Sequence, residues 1–189
     1  MAKVKTIEIV DIENVRNEKL RYQNNTLAYW LGLLACVVSL FAGLVGLNTM
    51  KASYWTVVKI LINVVILLLG FASAENIKHY SQKASYVFFT FAVVNILRIF
   101  WFPVQMFRWY KKYLDEGDTS ILNDHFSKVV QPGKSDAARG YLPASGYWRA
   151  TFMIIFLILS SILFAFAGYV GLVKTLKLKR YLKSINVEM

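Results

Sequence analysis

The chain has 189 residues, 57% of them apolar and only 17% charged, with a formal net charge of +11. A soluble domain carries about 25% charged residues, and here the deficit is concentrated in four apolar windows. These values exclude a disordered chain, a soluble enzyme and a disulfide-stapled secreted module, and they leave a small all-α, polytopic membrane protein.

Residues 1–26 hold four acids and five Lys or Arg, with no apolar core. They read as a cytoplasmic N-terminal segment and not as a cleavable signal peptide. The first span is therefore expected to serve as its own insertion signal. A transmembrane helix needs ~20 apolar residues to cross ~30 Å of hydrocarbon. Four stretches qualify, over 27–47, 55–74, 84–107 and 150–173, and they define a transmembrane domain at 27–174. Helices are the expected form, because no alternating strand pattern occurs.

The first span carries small residues at Ala28, Gly32, Ala35, Cys36, Ser39, Gly43 and Gly46. Steps of three and four place them on one helical face. Such a face lets helix backbones approach closely, and that contact drives association in lipid. A weaker row on the fourth span comprises Ser161, Ala165 and Gly168. Two uses follow: packing of spans one and four within the chain, or association with a second copy or another membrane protein. Cys36 is the only cysteine, which excludes an intrachain disulfide and a thiolate metal site.

The second and third spans contain the charges expected inside the membrane. Lys59 and Asn63 share a face, as do Asn95 and Arg98. With both termini on one side, Lys59 lies ~9 Å and Arg98 ~8 Å below the same boundary, at 1.5 Å per residue. No Asp or Glu falls within the four windows. Three readings compete. Lys59 and Arg98 snorkel to the lipid phosphates, the four residues form a polar intramembrane site for an anion or a lipid headgroup, or another subunit supplies a carboxylate to the two cations. Asp115, Glu116 and Asp118 are near enough in sequence to close such a site.

Between spans three and four, residues 108–149 form the one sizeable extracytoplasmic loop, too short for an independent domain. Arg108 to Leu114 mixes aromatics and cations, as at a headgroup boundary. Asp118 or Thr119 can cap a short helix reaching Val130. Pro132-Gly133, Gly140, Pro143 and Gly146 read as turns. Residues 175–189 are a basic cytoplasmic tail, an extension of span four that suits an anionic membrane surface.

Lys and Arg outside the spans set the orientation. Twelve fall in the two terminal segments and the loop between spans two and three, against eight in the other two loops. That asymmetry places both termini in the cytoplasm. The same distribution accounts for the net charge without a nucleic-acid partner.

No metal or cofactor is expected. His79 and His125 are far apart and lack ligand partners at useful spacing. Residues 143–147 approximate the histidine-bearing turn of lipid phosphatases, but Tyr147 stands where that chemistry requires histidine. No acid–base pair or nucleophile constellation appears. The function expected is non-enzymatic: a membrane accessory or scaffold subunit in the lipid bilayer, packing with itself or another membrane protein. The alternative is a small transport or channel component that handles an anion or lipid headgroup through Lys59, Asn63, Asn95 and Arg98.

Overall fold

A computed structural model describes residues 13–16, 18–19, 23–47, 54–116 and 136–184. The side chains of 46–47, 55–56, 110, 113–114 and 136–147 lie outside that description. The described residues are nearly all helical and contain no strand. The helices are α1 (Thr26–Leu47), α2 (Tyr54–Lys78), α3 (Gln82–Trp101), α4 (Pro103–Glu116) and α5 (Asp136–Ser184). Four segments are long and apolar enough to span a membrane: Thr26–Val45, Val57–Lys78, Gln82–Trp109 and Trp148–Ser184.

The bundle follows from the buried stripes. On α1 they are Ala28, Gly32, Ala35, Cys36, Ser39, Ala42 and Gly43, and on α3 Ala84, Ser85, Phe88, Phe91, Ala92 and Asn95. On α5 Met153, Leu157, Ser160, Ser161, Phe164, Ala167, Gly168 and Gly171 are buried at the same steps. Each stripe recurs every three or four residues, so each helix turns one face inward. The opposite faces expose Leu34, Phe41, Leu61, Leu68, Leu97, Phe100, Ile155 and Ile162. That surface suits lipid.

Neighbouring helices form a ring in the order α1, α2, α3, α5. The α1–α5 contact is the most extensive, and α2 and α3 pack least closely of the four ring pairs. The small-residue row of α1 is therefore used within the chain. The Phe88 ring abuts Gly32, and Cys36 on the same face abuts Gly70 of α2. Phe88 and Phe91 each pack on Phe164 with centroids 5.6 Å apart. The surroundings of Gly46 lie outside the described residues.

Two boundaries differ from the sequence reading. The third span is not one helix to residue 107: it breaks at Phe102, and α4 begins at Pro103. Proline has no N–H to offer the Ile99 carbonyl, and its ring crowds that turn. The loop expected over 108–149 is helical as far as Glu116 and again from Asp136. Gly140, Pro143 and Gly146 therefore sit in α5 and not in turns, because extending a long established helix needs no new nucleus. The tail continues span four as helix to Ser184. The short helix expected between Thr119 and Val130 lies outside the described residues.

Both described chain ends meet at one end of the bundle. The Asn25 N–H bonds the Lys78 carbonyl at 3.0 Å. The Tyr80 hydroxyl donates to the Gln23 carbonyl at 2.7 Å, and Tyr80 packs with Leu178 and Leu182. Tyr80 closes α2 in a left-handed conformation, φ 61°. Its N–H bonds the Ile77 carbonyl and the Ser81 N–H bonds the Asn76 carbonyl, the pair of bonds that defines a Schellman helix ending.

Candidate functional site: a polar centre built by four helices

The turn-to-turn register of α2 and α3 brings Asn63 and Arg98 face to face. Arg98 Nη2 donates to Asn63 Oδ1 at 2.5 Å. Its Nη1 donates to Asn95 Oδ1 at 2.8 Å and to Ser39 Oγ at 3.1 Å. Ser39 Oγ also donates to Asn95 Oδ1 at 3.3 Å. Asn95 Nδ2 then donates to Ser160 Oγ at 2.7 Å, and Ser160 donates to the Ala35 carbonyl at 3.2 Å. At the other edge, Asn63 Nδ2 caps the Lys59 carbonyl at 2.9 Å. One connected chain of bonds thus joins α1, α2, α3 and α5.

Its order has a physical reason. A polar group in an apolar interior costs free energy unless it is hydrogen-bonded. Asn95 is 0% exposed, and its carboxamide uses both its oxygen and its nitrogen here. Ser160 passes the last proton to a backbone carbonyl, which needs no further donor. Beside this chain Ser161 donates to the Ala92 carbonyl, a bond within the α3–α5 interface.

Three of the four intramembrane residues singled out in the sequence are therefore joined directly. Lys59 is placed differently. Its Nζ lies 3.9 Å from the centroid of the Phe102 ring, a cation–π distance. Phe102, which ends α3, is one turn beyond Arg98, and Lys59 is one turn before Asn63 on α2. The two pairs are consecutive rungs on one seam.

Two members escaped the sequence reading as polar partners. In the sequence Ser39 reads as a small residue, and the small row of the fourth span includes Ser161 but not Ser160. The signal was present: Ser160 and Ser161 interrupt an otherwise apolar run on the fourth span. The acids expected to close the site are arranged otherwise where described. Asp115 and Glu116 are exposed on α4, and Glu116 pairs with Lys112 at 3.9 Å. Asp118 lies outside the described residues.

Chemically, the site is a cation held by neutral oxygens. A guanidinium has five N–H donors, and three are used on Asn63, Asn95 and Ser39. None of those acceptors carries charge, so among the described residues the positive charge of Arg98 is solvated but not neutralised. Glu75, the carboxylate within a span, sits at the far end of α2 against Lys78 at 3.2 Å. The described residues hold no cluster of three His, Cys, Asp or Glu for a metal. Compared with protein-family models, curated proteins and solved structures, the chain matches none.

Proposed function

We propose that this chain is a non-enzymatic, multi-pass membrane protein that receives an anionic group at Arg98, acting as a binding or transport component. The observation that carries this reading is the direction of the Arg98 side chain. A snorkelling arginine extends along the helix toward the headgroups. Arg98 instead bonds sideways to α1 and α2, inside the bundle. Its acceptors are neutral, and among the described residues two of its N–H donors meet no acceptor and suit an oxyanion. The planar fork of Arg fits a carboxylate or phosphate in a bidentate pair.

A scaffold role would need another surface, because the small residues of α1 that favoured it are spent on α2, α3 and α5. Among the described residues the groups around Arg98 are amides and hydroxyls, with no general base arranged beside them, and this supports a binding role. In this reading both termini face the cytoplasm, as the excess of Lys and Arg at that end of the bundle favours.

The test is thermal unfolding of the purified protein in neutral detergent, with acetate, inorganic phosphate and lysophosphatidic acid titrated separately. A ligand of the native state raises Tm saturably. At least one of the three should do so, and Arg98→Gln should abolish the shift. Wild-type protein indifferent to all three would refute the proposal.

A further inference from the structure

The Arg98 site lies well inside the bundle, and an anion must reach it. Asn63 stands nine residues from the start of α2, ~14 Å along the axis, and Lys59 ~8 Å. The α2–α3 seam is where both intramembrane cations make contacts across to the neighbouring helix. Along it, Lys59–Phe102 is the outer rung and Asn63–Arg98 the inner one. The rungs are one helical turn apart, ~6 Å along the axis. This is also the least extensive contact between ring neighbours, so these helices separate with the smallest loss of packing.

Both helices bordering the seam are apolar where they face outward. On α2, Val57, Ile60, Leu61, Val64 and Leu68 are exposed, and on α3 Ile96, Leu97 and Phe100 are exposed. A bare inorganic anion entering here would leave its hydration shell for an apolar border, which is costly. An amphiphile would not face that cost in full. Its head starts at the headgroup level, near Lys59, and its tail remains in hydrocarbon throughout.

We infer that the α2–α3 seam is a lateral portal, through which an anionic amphiphile with a carboxylate or phosphate head passes from the bilayer to Arg98. Lys59 is its first contact, and the Phe102 ring is the latch that Lys59 leaves to meet it. The inference rests on the anion-binding reading of Arg98 and adds the ligand class and the route. The Lys59–Phe102 contact closes the seam when no ligand is bound. An oxyanion offers the Lys59 ammonium a charge-assisted contact that the ring does not, so its arrival draws Lys59 toward the head. One turn further in, Arg98 offers its two remaining donors, and the tail lies along the exposed faces of α2 and α3.

The experiment compares lysophosphatidic acid, lysophosphatidylcholine of the same chain and inorganic phosphate, each titrated against the full-length protein in neutral detergent micelles, with Tm as readout. Only lysophosphatidic acid should protect, and Lys59→Gln should weaken its apparent affinity by about tenfold, the loss of one charge-assisted contact. Lys59→Arg should bind as wild type. In parallel, an analogue bearing a diazirine on its acyl chain is photo-crosslinked to the wild-type protein, a measurement independent of any variant. Its label should fall on α2 and α3. Equal protection by lysophosphatidylcholine would overturn recognition of the charged head. Label confined to α1 and α5 would overturn the portal. Protection by phosphate alone, lost in Arg98→Gln but intact in Lys59→Gln, would overturn the amphiphile and its route while leaving an anion site at Arg98. Protection by none of the three ligands would overturn the portal, and if acetate also fails to protect, the anion reading of Arg98 falls with it.

Discussion

A Cβ placed on Gly43 would stand 2.6 Å from the carboxamide of Asn63. The small face of α1 and the polar centre are therefore one device: the absent side chain makes room for the amide that holds Arg98. Asn63 cannot swing aside cheaply, because it is bonded to both Arg98 and the Lys59 carbonyl. Gly43→Ala should overpack this point and destabilise the bundle by about 1–3 kcal/mol. Leu44→Ala, on the exposed side of the same turn, should cost far less. Thermal unfolding of both variants in detergent checks this, and equal Tm values would mean that Asn63 relaxes freely.

The polar chain makes a graded prediction. Asn95→Leu leaves Ser39, Ser160 and Arg98 each short of a partner, and each buried orphan costs about 1–3 kcal/mol. Asn63→Leu strips Arg98 of one acceptor and should cost less. Arg98→Lys keeps the charge but loses the fork that reaches two helices at once. Lys59→Arg keeps a cation over the Phe102 ring and should be nearly silent. The expected order of Tm is therefore Lys59→Arg highest, then Asn63→Leu, then Asn95→Leu. Finding Asn95→Leu as stable as wild type would show that the network contributes little to the bundle.

The four spans were legible in the sequence, because they follow from the length of the apolar runs, but helical rise levelled Arg98 with Lys59, whereas the structure joins Arg98 to Asn63 and Asn95. The partners were not. Whether Ser39 serves as a small residue or as an acceptor depends on which helix lies opposite, and a single helix does not specify its neighbour. The same ambiguity covers the small row of α1, which equally suits a second copy or its own chain. Lys59 illustrates a different limit. Helical rise levels it with Arg98, yet its ammonium lies over the Phe102 ring at the break between α3 and α4, an aromatic partner that depth alone does not specify. The helical backbone through Gly140, Pro143 and Gly146 shows turn propensity overridden by continuation of a long helix.

Orientation gives a third prediction. Gln23 and Ser184 lie at the same end of the bundle, since Tyr80 bonds the Gln23 carbonyl and packs on Leu182. Cysteines introduced at these two positions, in a chain with Cys36 replaced by alanine, should give the same result with an impermeant thiol reagent. In intact cells both should be protected and a cysteine at Ser120 should react. Reaction at Gln23 and Ser184 alone would invert the orientation, and reaction at just one of these two would break the even number of spans.

Tyr80 supplies the last prediction, and it concerns pH. A left-handed residue other than glycine is disfavoured by about 1–2 kcal/mol, so Tyr80 must be held in place by its side chain. Its hydroxyl donates to the Gln23 carbonyl and its ring is buried against Leu178 and Leu182. Burial pushes the Tyr80 phenol above its ordinary value. In the unfolded chain a tyrosine loses its proton near pH 10, at about the reference value. Above that pH the unfolded chain releases a proton that the folded chain retains, so unfolding is favoured as pH rises. The contribution of Tyr80 is thus fully present below the unfolded value and is lost as pH climbs through the folded one. The phenolate also could no longer donate to Gln23. Tyr80→Phe should lower stability by about 0.5–1.5 kcal/mol at neutral pH, the worth of one hydrogen bond, and should flatten the alkaline fall. Tyr80→Gly relieves the backbone but discards the anchor, and it should be the less stable of the two variants. Thermal unfolding between neutral pH and about pH 11 separates these effects, because lysine deprotonation is common to all three proteins. Identical alkaline curves for wild type and Tyr80→Phe would show that the Tyr80 hydroxyl does not secure this end of the bundle.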